Sequence, residues 1–322
     1  MSRDKSIDFL MFLAVLMVVN SHLEGMYVAP FKFLSTGGII GDALFFFCSG
    51  YKLSLGRIDR FDNWYKRRLV RIYPSVLVWD VLAALLFSLP LTVGTLFDGW
   101  WFCGYWFVKC IMVHWVALYF VMRYFRRWMS LLLGGVCVGI GVWWWLAYSP
   151  KFAMAMLGAS KFEWYYLFAF TLFGAIVASR GLPKFRTVSA LSCLFLALLC
   201  HYGWLIIVGR CPNLMPIRLL LLLPLAAVVV SLYLLSKTDF VIGMMNGNVG
   251  KAMTLLGGLC LEVYISHGMF ETVRFNNLFP LNIIGYFAVV FIVAYFIRCV
   301  TRLFIQTFDK EHPYDYHSVF KE

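Results

Sequence analysis

The sequence predicts an all-α polytopic membrane protein, a helix bundle of about ten transmembrane helices with both termini inside. Three observations predict it. Of 322 residues, 62% are hydrophobic and only 14% charged, whereas soluble domains carry roughly 25% charged residues. With a mean hydropathy of +0.81, a soluble globular fold is excluded. Apolar runs of the length that crosses a ~30 Å hydrocarbon layer recur along the whole chain. The 28 Lys and Arg residues fall very unequally on the two sides of those runs. An aromatic share of 19% agrees, because Trp and Tyr gather at membrane–water interfaces. The net charge of +12 would suggest nucleic acid in a soluble protein. Here it reports orientation, and no nucleic-acid partner is expected.

The first run, 7–25, follows Arg3 and Lys5 and ends on His22 and Glu24. A cleaved signal peptide would carry small residues there, so this run is expected to stay as a span. The second, 38–56, holds Asp42 and an aromatic cluster. The third, 73–91, follows a basic stretch from Arg57 to Arg71 that is expected as an inner loop. The fourth, 101–122, carries Lys109 and His114, and the fifth is 130–148. The sixth, 164–179, is short, and the seventh and eighth, 187–208 and 216–236, flank a tight Gly209-Arg210-Cys211-Pro212 turn. The ninth, 253–273, carries Glu262 and His267, and the tenth is 282–303. Residues 1–303 thus form one membrane domain and 304–322 a short inner tail. With the N-terminus inside, 21 of the 28 basic residues lie inside and seven outside, the bias expected of inner segments. No internal repeat and no matching pair of broken helices suggests an inverted-repeat transporter. The nine cysteines show no CxxC or His/Cys metal spacing. They read as small buried hydrophobes, and no metal is expected.

Ionisable groups inside a span are costly and usually mark a pathway or a site. Counted from the inner end of each span at ~1.5 Å per residue, His22, Asp42, Lys109 and His267 share a layer roughly 20 Å up. Glu262 sits nearer the centre. Each signal also has a plain structural reading. The basic stretch fits an anchor on anionic lipid. A lone His at a helix end fits an interfacial polar residue, Glu262 paired with Lys109 fits structural glue, and Phe45-Phe46-Phe47 fits packing.

Taken together, the ordered pieces resemble the acyltransferase-3 family of integral membrane O-acyltransferases, of the bacterial glycan O-acetyltransferase type. Arg3 and Ile7-Asp8-Phe9-Leu10, followed by His22, resemble its opening span. Phe45-Phe46-Phe47-Cys48-Ser49-Gly50-Tyr51 is similar to its aromatic Ser-Gly segment, and Arg68-Leu69-Val70-Arg71-Ile72-Tyr73-Pro74 to its Arg-x-x-Arg-Ile-x-Pro signature. Trp106-Phe107 and Tyr264-Ile265-Ser266-His267 resemble weaker family patterns. One departure is clear. The family has a basic residue three positions after the first-span Asp, where this chain has Met11; that charge is either dispensable or supplied from another helix, such as by Lys52.

The resemblance implies transfer of an acyl group, usually acetyl, from cytoplasmic acyl-CoA to a hydroxyl of a glycan or lipid-linked saccharide, in a bacterial inner membrane. Lys66, Arg67, Arg68 and Arg71 are the expected partners of the CoA phosphates, since guanidinium groups bind phosphate in bidentate fashion. Arg68 and Arg71 share a helical face. Asp8, Ser49 and Tyr73 complete the expected donor site. His22 is the expected general base, because an imidazole titrates near neutrality. Asp8 cannot orient it across roughly 20 Å of one helix, so Asp8 is assigned to the donor region, beside Arg68 or Arg71. The partner of His22 is sought among His267, Lys109 and Glu262, and Lys109 also fits an oxyanion stabiliser. Direct transfer and a covalent acyl intermediate both remain open. The competing reading is a transporter or flippase for a glycolipid or small anion.

Overall fold

The computed structural model describes residues 4–88, 92, 105–157, 160–308 and 313–320. Arg3, Cys103, Lys310, Lys321 and the segments 89–91 and 101–104 of the third and fourth expected spans lie outside the described residues. Among the described residues the chain is helical, without a strand. The labelled helices are α1 (Lys5–Ser21), α2 (Gly38–Leu55), α3 (Phe61–Phe87), α4 (Trp106–Tyr124), α5 (Met129–Ala147) and α6 (Lys161–Arg180). They continue with α7 (Thr187–Arg210), α8 (Leu222–Ser236), α9 (Asn248–Gly258), α10 (Cys260–Ser266) and α11 (Leu281–Gln306). Eight helical segments among the described residues are long and apolar enough to cross a membrane. A ninth is added if Asn248–Gly258 and Cys260–Phe270, bent by 54°, count as one. The remaining expected span, the first at 7–25, corresponds to α1, whose 17 residues stand at the short end of the range for spanning helices.

Two elements differ from the sequence reading. The basic stretch is not a loop: α3 begins at Phe61, so Lys66, Arg67, Arg68 and Arg71 stand on its first turns. Lys and Arg propagate a helix well, and Asp62 in the first turn suits the positive end of the helix dipole. Pro74 lies inside α3 without ending it, although proline lacks the N–H that would bond the carbonyl of residue 70. The ninth run is broken at Leu259, just after Gly257 and Gly258, a residue pair that favours kinks. Arg298 of α11 bridges the break. Its Nη2 donates to the Gly258 carbonyl and lies 2.8 Å from Glu262 Oε2, while its Nε lies 3.2 Å from Oε1. The tail folds back on α11, with Arg302 Nη1 donating to the Val319 carbonyl at 2.8 Å and Gln306 to Ser318 Oγ at 2.8 Å.

The chain forms two compact units. The first comprises Met1–Ala14, Ile39–Ile58 and Cys110–Thr254. In it α5 packs on α6 and α7 on α8. The α2 and α6 backbones touch, because a Cβ on Gly50 would strike the Thr171 carbonyl and one on Gly174 the Phe47 carbonyl. Small residues permit such close approach of helices in a bilayer. Phe46 and Phe47 are fully buried there, as the packing reading of that cluster requires. The second unit comprises Val15–Gly38, Asp59–Lys109 and Leu255–Glu322. In it α3, α10 and α11 pack mutually. This unit carries both histidines singled out at the outer layer.

Candidate active site

His22 follows the last residue of α1, in a turn closed by its own N–H on the Val19 carbonyl at 3.1 Å. The loop after it folds around Asn20. The Asn20 amide donates to the Leu34 carbonyl at 2.6 Å and to Thr36 at 3.1 Å, and its Oδ1 accepts from the Tyr27 hydroxyl at 2.7 Å. Asn276 donates to the Gly25 carbonyl at 2.9 Å and Asn282 to Met26 at 2.8 Å. The His22 turn is thereby fastened from both sides. The imidazole itself is exposed.

His267 continues the turn of α10, where the chain narrows into a 3-10 segment His267–Phe270. It is buried. Its Nδ1 lies 2.9 Å from the Tyr264 carbonyl and 3.2 Å from Val263. Both partners are acceptors only, so Nδ1 carries the proton and Nε2 keeps a lone pair. The Tyr286 hydroxyl donates to the His267 carbonyl at 2.9 Å. The His22 and His267 rings stand 5.0 Å apart, tilted by 53°. Glu271 joins them: one ligand atom from each of His22, His267 and Glu271 lies within 4.8 Å of the others. This constellation can exchange a proton and can hold a cation.

Other expected site residues take clear positions. Glu262 belongs to Arg298, not to Lys109; Ser75 Oγ adds a 3.4 Å contact to its Oε1. Its role in the structure is to hold the α9–α10 break. Lys109 is half-buried in the first turn of α4. Its neighbour Phe107 packs on Tyr264 at 4.7 Å, and Tyr264 on His267 at 5.9 Å. On α3, the Arg68 guanidinium stacks 3.6 Å over the Trp64 ring and donates to the Trp64 carbonyl. Arg67 pairs with Asp59 at 2.8 Å. Lys66 and Arg71 are exposed and Tyr73 is half-buried. Farther along α3, Trp79 and Phe87 pack on Phe270 at 6.2 and 5.7 Å. The basic turns and the His267 segment are therefore separated along α3 by more than ten ångströms at ~1.5 Å per residue.

In the first unit Asp8, 2% exposed, pairs with Lys52 at 3.3 Å. Lys52 of α2 thus brings a positive charge to the first-span Asp, one of the two alternatives left by Met11. Ser49 Oγ accepts from Trp115 Nε1 at 2.8 Å. Asp42 is buried with its Oδ1 lacking a hydrogen bond among the described residues. Buried Glu163 lies within its electrostatic reach, with Glu163 Oε1 accepting from the Tyr166 hydroxyl at 2.9 Å. The shared layer is divided accordingly: His22, His267 and Lys109 fall in one unit, Asp42 in the other. Sequence reading missed Glu271, which stands four residues after His267, one helical turn on. That spacing was the available signal.

The acyltransferase-3 family model, described as an acyltransferase domain, matches residues 4–299. No curated protein and no solved structure matches the chain. The match takes in α1 with His22, the basic turns of α3 and the His267 segment, so the chain belongs to the acyltransferase-3 family and is a membrane acyltransferase.

Proposed function

We propose that this acyltransferase moves an acyl group, acetyl in the first instance, from cytoplasmic acyl-CoA to a hydroxyl of a glycan or lipid-linked saccharide. The reaction is an O-acetylation-type polysaccharide modification at a bacterial inner membrane, with N- and C-termini in the cytoplasm. The observation that carries the reading is the His22–His267 ring pair at 5.0 Å, inside a chain of an acyltransferase family.

In this reading His22 takes the proton of the acceptor hydroxyl as its oxygen attacks the thioester carbonyl. The Lys109 ammonium steadies the oxyanion of the tetrahedral intermediate. Collapse breaks the C–S bond, and the thiolate of CoA takes the proton back from the His22 imidazolium. The products are the ester and free CoA thiol. His267 presents only its Nε2 to the site, since both carbonyls hold its other nitrogen.

Donor binding falls to Lys66, Arg67, Arg68 and Arg71. The Trp64 ring holds Arg68 in place, which lowers the entropy lost on gripping a phosphate. Tyr73, on the same helix, supports the donor region. The test is acyl transfer by the purified protein from acetyl-CoA to membrane glycolipid, set beside the ester content of the surface glycan in a deletion strain. Loss of one ester position in that strain, restored by the wild-type chain and not by His22→Ala, supports the reading. Unchanged esterification in the deletion strain, or normal turnover by His22→Ala, overturns it.

A further inference from the structure

We propose that His22, His267 and Glu271 form a binding site for a zinc-type divalent cation, and that the bound ion switches the acyltransferase off. The argument begins with donor chemistry. Two imidazoles and one carboxylate match borderline cations such as Zn²⁺, whereas Ca²⁺ and Mg²⁺ prefer oxygen ligands throughout. The three candidate ligand atoms lie within 4.8 Å of one another. Around a tetrahedral zinc with bonds of about 2.0–2.1 Å, ligand atoms stand roughly 3.4 Å apart. Small side-chain rotations of exposed His22 and Glu271 close that difference.

His267 is already prepared as a ligand. Its Nδ1–H is committed to the Tyr264 and Val263 carbonyls, the arrangement that fixes the tautomer and orientation of metal-bound histidines. Its Nε2 lone pair is the one that remains. The two chain segments are also held in register: Asn276 bonds Gly25, Asn282 bonds Met26, and Tyr286 bonds His267 itself. Exposure of two of the three ligands leaves an entry path and a fourth position for water. The ligands come from residues 22, 267 and 271, so linear spacing announces the pair 267 and 271 but not its meeting with His22.

The inhibitory part rests on the proposed role of His22; the binding part does not. A metal bond uses the imidazole lone pair that would accept the hydroxyl proton, so an ion and a general base exclude each other at His22.

The experiment uses the full chain purified in detergent and freed of metal with a chelator. Zn²⁺ alone is titrated calorimetrically, and Co²⁺ serves as an absorbing probe. The expected result is one ion per chain, with affinity falling at least tenfold in His22→Ala and in Glu271→Gln. Glu271→His, which keeps a ligand nitrogen, is expected to stay within a few-fold of wild type. Monodisperse elution and an unchanged unfolding midpoint show that each variant is folded. Absence of Zn²⁺ binding in the wild type overturns the site, as does equal binding in both His22→Ala and Glu271→Gln, which assigns the ion to cysteine thiols. In the transfer assay, Zn²⁺ is expected to lower turnover and a chelator to restore it; full turnover with the site loaded overturns the switch. Zinc binding at the three residues in a chain that shows no transfer from acyl-CoA even when freed of metal would sink the functional reading, and the switch with it, while leaving the metal site. Transfer that depends on His22 in a chain that binds no zinc would sink the metal site alone.

Discussion

His114 in the first compact unit and His267 in the second are both buried, and the two are used in opposite ways. His114, in the first unit, has every polar position filled. Its Nε2 lies 2.8 Å from the Trp164 carbonyl, its Nδ1 3.2 Å from Thr171 Oγ1, and Cys110 Sγ stands at 3.5 Å. His267, in the second unit, has one nitrogen filled by carbonyls, and its ring stands 5.0 Å from that of His22. A fully satisfied buried imidazole fixes a helix contact. One with an open nitrogen beside a second imidazole can do chemistry. Burial and residue type are the same in both cases; the partners separate them.

The largest expected effect tests that contrast directly. His22→Ala should lower acyl transfer by about 10²–10⁴-fold, the usual worth of a general base, with the unfolding midpoint little changed. His114→Ala should do the reverse, costing about 1–3 kcal/mol of stability through its stranded partners while turnover per folded molecule is retained. Equal loss of turnover in both variants would erase the distinction between the two sites.

Next in size is the α9–α10 break. Glu262→Ala removes the counter-charge of Arg298, which is 17% exposed, and stranding a buried charge costs about 3–5 kcal/mol. Combining it with Arg298→Met should recover most of that loss in a thermal unfolding assay. No recovery in the double variant would mean that Glu262 acts by something other than the pair. A smaller effect is expected on the basic turns of α3. Arg68→Ala and Arg71→Ala should each raise the KM for acyl-CoA about tenfold or more, the worth of one charge-assisted hydrogen bond, with kcat nearly unchanged. Unchanged KM in both would remove the donor site from α3.

The smallest effect concerns Asp4, which joins the start of α1 to the residue after α8. Burial pushes its carboxyl up, but bonds from Lys237 at 2.7 Å, Ser6 and Tyr51, with the Lys237 charge, outweigh burial and hold it below its ordinary value. A depressed carboxyl contributes stability above its unfolded pKa, and that contribution is lost as pH falls through the folded one. Asp4→Asn should therefore lower the unfolding midpoint slightly at neutral pH and not at strongly acid pH. A constant difference across the range would assign the effect to packing.

Much of this architecture was legible in the sequence because crossing a bilayer requires long apolar runs. The start of α3 was not: Lys66, Arg67, Arg68 and Arg71 count against hydropathy yet propagate a helix. Lys52 is one possible source of the charge absent at Met11, but its pairing with Asp8 was not legible, because the sequence reading places Asp8 beside Arg68 or Arg71. Nor was the partner of Glu262. Arg298 reads in sequence as an orientation charge, and only the fold shows it reaching back to α10. His22 and His267 were singled out one by one from their depth. Glu271 sits at the outer end of its run, where a carboxylate is unremarkable until residues 22 and 267 are brought together.

The carbonyl grip on His267 has a consequence for how charge travels. A histidine passes protons along a wire by receiving at one nitrogen and releasing from the other. With Nδ1 tied to Val263 and Tyr264, this ring is a cul-de-sac. Any proton that reaches Nε2 must leave by the way it came, so the ring can lend or borrow one within a reaction cycle without opening a leak across the membrane.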